Sequence, residues 1–294
     1  MTERLADITA RIGGVQQLGA VVSAMRGIAA ARVQQARGQL DAVDRYAATI
    51  ANAIGRALAL DGVSASEMAP PPAHPALLLF CAEQGFAGDF SGRVLDAVED
   101  ALQSSDILLI GSRGVLAAAE RGVAVSWTSP MPSHSPGIPK LADQIADALY
   151  RRVAAGGIYQ LDAVFVEWRP GTGLQVERRR LFPFEPAAFP PLKDNNRPIV
   201  NLTPAALLTA LSADYLHAQL CKAALHAFAA ENEARMEAMA AARSHIERQL
   251  ATLQASQRLV RQAEITAEII ELAAGETASR SVAGAGVNSA DSRS

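Results

Sequence analysis

Along residues 5–58 apolar side chains return at every seventh position. Ile8, Val15, Val22, Ala29, Ala36, Val43, Ile50 and Ala57 form one unbroken row. Beside it run Leu5, Ile12, Gly19, Arg26, Val33, Leu40, Ala47 and Ile54, weakened at Gly19 and Arg26, where Leu18 and Met25 partly fill the gap. A seven-residue repeat held this long keeps one seam of a helix turned to a partner and imposes a left-handed supercoil. At 1.5 Å per residue such a helix would reach roughly 80 Å, far beyond an ordinary globular helix.

A second helix is predicted from Thr203-Pro204, an N-cap hydroxyl followed by proline at the first helical position. Its seven-spaced row is Leu211, Ala218, Leu225, Asn232, Met239, Ile246, Leu253, Val260 and Ala267, interrupted only by Asn232. Met236, Leu250, Ile265, Ile269 and Leu272 add a second set. The helix is expected to run to about Ala274, roughly 100 Å by the same rise. Beyond Gly275 the chain turns to Ser, Ala and Gly, so residues 276–294 are expected to form a flexible tail. Two long helices from opposite chain ends can pair antiparallel as a rod.

Between them the pattern changes. Ala76–Cys81, Asp106–Ile110, Val123–Trp127 and Leu161–Trp168 are short apolar runs suited to buried strands, with helical patterns over 89–103, 114–121 and 138–155. Arg169-Pro170-Gly171-Thr172-Gly173 predicts a turn into a last strand, Leu174–Phe182, on the edge of a small α/β sheet. Proline usage draws the same boundaries. All fifteen prolines lie between Pro70 and Pro204, leaving both flanking segments without the strongest helix breaker. The expected division is therefore 1–69, 70–203, 204–275 and 276–294.

Composition adds little beyond this. Alanine is abundant and aromatics scarce, which favours helix. A net charge of −3 makes no case for nucleic acid. Cys81 and Cys221 lack any paired spacing and read as buried free thiols of a reducing compartment. The polar N-terminus is unlike a secretory signal, and no run approaches the ~18 apolar residues of a membrane-spanning helix.

Convergent chemistry is hard to find. There is no phosphate loop and no Gly-x-Gly-x-x-Gly after the first strand. Gly85-Phe86-Ala87-Gly88 and Gly111-Ser112-Arg113-Gly114 follow strands where an anion could meet a helix N-terminus; as tight strand-to-helix turns they need no ligand. His217, Cys221 and His226 lie about a turn apart on the last helix, without a third ligand at matching spacing for a metal. His74 and His134 sit in proline-rich loops, and no acid/base pair is evident. One charge pattern stands out: no acid occurs between Asp7 and Asp41, where Arg11, Arg26, Arg32 and Arg37 fall. Arg243, Arg248, Arg258 and Arg261 recur near the other end. Such a face can be merely solvated, or can slide against acidic loops of a partner.

Four stretches resemble one family in order along the chain. Arg261-Gln262-Ala263-Glu264-Ile265-Thr266-Ala267-Glu268-Ile269-Ile270-Glu271 resembles the C-terminal signature of F-type ATP synthase γ subunits, although Gly275-Glu276 stands where the family has Gly-Ala. Ala24-Met25 and Ile28-Ala29-Ala30 with Arg32 resemble the family's opening, while Gln17-Leu18 and Val21-Val22-Ser23 depart from it. Cys81-Ala82-Glu83-Gln84-Gly85-Phe86-Ala87-Gly88 is similar to its Asp-Arg-Gly-Leu-Cys-Gly turn with several positions changed, and Ile110-Gly111-Ser112-Arg113-Gly114 to its Ile-Gly-Ser-Lys-Gly.

The resemblance implies a long antiparallel coiled coil of N- and C-terminal helices with an inserted Rossmann-like α/β domain. It also implies a non-catalytic central-stalk rotor subunit, coupling ion flow to ATP synthesis or hydrolysis at the β subunits. The implied partners are the ring of α and β subunits, the ε subunit and the c-ring. Nucleic acid is not among them, and the membrane is reached only through the c-ring. No cofactor would be bound by this chain, since Mg-ATP belongs to the α and β subunits. Arg261, Gln262, Thr266 and Met25 would make coupling contacts to a β subunit. The implied location is the cytoplasmic face of a bacterial inner membrane. Two other readings fit the residues alone: a coiled-coil adaptor with an α/β head, and a small-molecule-binding α/β domain that oligomerises through its helices.

Overall fold

The computed structural model describes residues 2–60, 74–185, 189 and 200–287. The boundary expected at residue 69 and most of the approach to residue 203 lie outside them. Two long helices enclose the fold in sequence, α1 (Thr2–Leu58) and α6 (Pro204–Val287). Between them lie β1 (His74–Phe80), α2 (Phe90–Asp96), α3 (Glu99–Leu102), β2 (Asp106–Ile110), α4 (Ser112–Glu120), β3 (Trp127–Ser129), α5 (Ile138–Ala154), β4 (Ile158–Arg169) and β5 (Gly173–Phe182). Contacts divide the chain into two compact units, residues 25–239 and residues 1–24 with 240–294.

In the larger unit the strands form one sheet in the order β3-β2-β1-β4-β5. The first four run parallel, and β5 returns antiparallel from a turn in which Gly171 and Gly173 take positive φ. Alternation with period two sends side chains to opposite faces. Leu77, Leu79, Ile107, Leu109, Val164 and Val166 meet Phe90, Val94, Leu95 and Leu102 on one side. Leu78, Phe80, Leu108, Ile110, Ala163 and Phe165 meet Ile138, Leu141, Ile145 and α6 on the other. Both faces are covered, which is why these strands read as continuous apolar runs. Each fully buried Leu or Phe contributes about 1.5–3 kcal/mol.

The same unit explains the alanine content. Ala29, Ala36, Ala47 and Ala57 of α1 and Ala218, Ala223, Ala224, Ala227 and Ala230 of α6 are all buried. Small side chains let a helix pack close to its neighbours. Arg37 meets Glu233 at 2.6 Å and Lys222 meets Asp44 at 2.5 Å, so α1 and α6 run antiparallel here. In the smaller unit Ile8, Ile12, Val22 and Ile246 are buried, while Arg243 donates to Ser23 at 3.1 Å and Gln257 to Thr9 at 2.9 Å. That spacing is again antiparallel.

Four expectations need correction. The strand foreseen over 123–127 forms only at Trp127–Ser129. Val123 is still tied to Ala118 of α4, and a half-exposed edge strand needs no apolar run. The helical pattern over 89–103 breaks at Val98 (φ −132°), whose side chain turns inward to become buried. Leu18 does not fill the seam, being 52 % exposed. Finally, α6 continues to Val287 instead of ending near residue 275. Gly275 does not take the positive φ of a helix stop, and no proline follows it.

Candidate functional site

The turn after β1 is where a nucleotide-binding sheet would hold phosphate, and here it is held by the chain itself. Gly111 adopts φ +104° at the N-terminus of α4, and a Cβ there would lie 2.4 Å from the Cys81 carbonyl oxygen, so both the backbone and the space demand glycine. The amide and hydroxyl of Ser112 then donate to the Glu83 carboxylate at 3.0 and 2.8 Å. The Met131 amide donates to it at 2.9 Å. An internal carboxylate thus occupies the position where a helix N-terminus attracts an anion. The predicted Gly111-Ser112-Arg113-Gly114 motif is a packed turn, and at Gly114 an added Cβ would strike the Cys81 side chain at 2.2 Å.

Behind Glu83 sits a buried polar cluster on α6. Glu231, Asn232 and Arg235 are each under 5 % exposed within a helix face otherwise lined by Ala, Leu and Phe. The Glu231 carboxylate accepts the backbone N–H groups of Glu83 and Gln84, both at 3.1 Å. Arg235 donates to Glu231 at 2.5 Å, to Asn232 Oδ1 at 2.8 Å and to the Gly85 carbonyl at 3.2 Å. The α1 helix joins from its own side. Arg32 donates to Gln84 at 3.2 Å, and Arg37 lies over the Trp168 ring at 4.5 Å while pairing with Glu233. Breaking one partner of such a buried pair typically costs 3–5 kcal/mol, because it strands the other charge. Sequence reading passed over this cluster; its signal was Asn232 interrupting an apolar row between an acid and a base four apart.

The predicted metal candidates disperse. His217 pairs with Asp143 of α5 at 3.1 Å, with Cys221 Sγ 3.8 Å from its Nδ1. His226 turns instead to β4, 3.6 Å from Glu167 and stacked on Phe165 at 5.8 Å. Burial lowers the pKa of His226, opposed by the nearby Glu167. Burial pushes both thiols, Cys81 and Cys221, up to about 12. Among the described residues no three His, Cys, Asp or Glu side chains gather as a metal site.

The predicted coupling residues occupy different places. Arg261, Gln262 and Thr266 are exposed on α6, the Thr266 hydroxyl donating to the Gln262 carbonyl at 2.8 Å. Met25, half-buried on α1, belongs to the other unit. Around the first group the helix exposes large apolar side chains: Leu259, Ile265, Ile269, Ile270 and Leu272 are 51–74 % exposed.

Comparison with known proteins decides what this pattern belongs to. A family model described as ATP synthase matches residues 4–278. The ATP synthase gamma chain of Streptomyces griseus is 29 % identical over 287 residues, covering 91 % of this chain and 93 % of that one. The chain belongs to the ATP synthase γ family. The gamma chain of Frankia casuarinae is 28 % identical over 300 residues, covering 95 % of this chain and 98 % of its own. Among solved structures, a chain of the Euglena gracilis mitochondrial ATP synthase rotor superposes with a TM-score of 0.62 at 10 % identity, covering 90 % of this chain and all of that one. A second chain from that organism's enzyme gives 0.65 at 11 % identity over 96 % of both. As a γ-type chain it is a non-catalytic subunit of the central stalk, in keeping with a turn whose anion position is already filled. No described helix is long and apolar enough to cross a membrane.

Proposed function

We propose that this chain is the rotor of a bacterial ATP synthase, turning within a ring of α and β subunits at the cytoplasmic face of the inner membrane. It does so without binding a cofactor of its own. The observation that carries the reading is the family match over residues 4–278, together with the exposed apolar side chains of α6 around Arg261, Gln262 and Thr266. A helix that leaves Ile265, Ile269, Ile270 and Leu272 in water is built for a partner. The seven-residue rows of α1 and α6 support reading the helix pair as an antiparallel coiled coil. The parallel order β3-β2-β1-β4 with β5 as an antiparallel edge supports reading the sheet as Rossmann-like. That domain would meet the ε subunit and the c-ring.

In this reading Arg261, Gln262 and Thr266 hydrogen-bond a β-subunit loop, and Met25 passes the acidic lever of a β subunit. Each rotor angle then favours one β conformation through differential contact, which is a population shift imposed mechanically. The test is to co-express the chain with α and β subunits and measure magnesium-dependent ATPase in the purified complex. Turnover should depend on this chain. Arg261→Ala should assemble normally and lower turnover by roughly tenfold, as expected for losing a contact worth about 1.4 kcal/mol. Full turnover in an assembled Arg261→Ala complex would remove these residues from coupling. A lone homodimer that ignores α and β would overturn the rotor reading.

A further inference from the structure

Resting on the rotor reading, we propose that the buried Glu231–Asn232–Arg235 cluster is the rotational key between the sheet domain and α6, the group through which torque passes from one to the other. Apart from His217 at Asp143 and Pro139 of α5 and His226 beside Glu167 of β4, the rest of that contact is mainly apolar: Ala223, Ala224, Ala227 and Ala230 pack among sheet and helix side chains that specify no angle strongly. Dispersion and burial are non-directional, so such a face resists separation better than it resists slip. Hydrogen bonds to backbone groups are directional and fix register.

The geometry fits a key. Glu231 grips two consecutive amides, those of Glu83 and Gln84, and Arg235 grips the Gly85 carbonyl one residue on. Three successive backbone units of the turn are therefore held by one turn of α6. The turn is itself anchored to the sheet, since the Glu83 side chain reaches Ser112 and Met131. Arg32 of α1 takes hold of Gln84, so both long helices engage the same turn. All of these groups lie within the larger unit.

The decisive variant is the double replacement Glu231→Leu with Arg235→Met. It removes both charges together and leaves neither stranded, a change that protein interiors commonly tolerate. Three quantities are read in the complete complex in inverted vesicles and in the isolated chain: ATP hydrolysis, ATP-driven membrane potential, and amide hydrogen exchange at Glu83 and Gln84. The key predicts hydrolysis within twofold of wild type, ion movement per ATP reduced fivefold or more, and exchange at both amides at least tenfold faster. An unchanged ratio of potential to hydrolysis would overturn the proposal. Should the double variant fail to fold, Glu231→Gln keeps the shape and decides by the same ratio, with a smaller loss expected. If wild-type turnover proves independent of this chain, the rotor reading fails by itself, and the torque role falls with it. The exchange measurement then still separates the two: protected amides in wild type that remain protected in the variant show that the cluster never fixed the turn.

Discussion

At the scale of single residues, the chemistry of this chain is directed inward. Glu83 shows it best, because a carboxylate with three donors is spent on closing a turn. Glu83→Gln should lower unfolding free energy by about 1–3 kcal/mol in urea titration, since a neutral amide answers charged hydrogen bonding poorly and brings a donor of its own. The motif was visible in sequence as a glycine-rich turn after a strand, but the identity of its anion was not. Only the fold brings residues 83, 112 and 131 together. His226 gives a prediction with a sign. Burial lowers its folded pKa below the ordinary 6.5, so the unfolded chain binds the proton more readily. Its contribution to stability is complete above that value and is lost as pH falls below it. Stability should therefore drop as pH falls below about 6.5, and His226→Gln should flatten that slope. The groups facing His226 are Glu167, Lys222, Arg179 and Asp44, so the comparison must be made against wild type at each pH. An identical slope in the variant would assign the pH dependence elsewhere.

At the scale of elements, legibility followed burial. The strands β1, β2, β4 and β5 were readable within a few residues, because both sheet faces are covered or a glycine turn announces the strand. The edge strand β3 was misplaced, since Trp127-Thr128-Ser129 pairs with Leu108, Leu109 and Ile110 through its backbone and needs no apolar side chains to do so. The row on α1 held where side chains meet a partner, at Ile8, Val22, Ala29, Ala36 and Ala57. On α6 the periodic pattern outran burial: Ile265, Ile269 and Leu272 continue it, yet they face outward. A sequence records what a face is made of, not whether this chain alone supplies its cover. Replacing Ile269, Ile270 and Leu272 by serine should thus change the isolated chain's stability by less than about 0.5 kcal/mol per substitution, as for exposed sites generally. It should weaken co-purification with α and β subunits markedly. Normal assembly of the triple variant would mean that this apolar stretch meets no subunit.

Across the whole molecule, the two units differ in how their stability is made. The larger holds a sheet buried on both faces, and several of its charged groups, Glu83, Glu231 and Arg235 among them, are fixed by hydrogen bonds within the chain. Among the described residues the smaller is made of helix alone, with Ile8, Ile12, Val22 and Ile246 as its buried apolar side chains and residues 268–276 exposed. Amide exchange follows local opening, so strand amides over 77–80, 107–110 and 163–166 should exchange last. Those of α6 beyond Glu268 should exchange first in the isolated chain. The informative comparison is with the assembled complex. If the smaller unit is unfinished by design and a subunit ring completes it, protection should rise there by tenfold or more on assembly while the sheet amides stay as they were. Equal protection in both states would mean that the exposed end of α6 stays in water even in the complex, and that coupling must run through other residues.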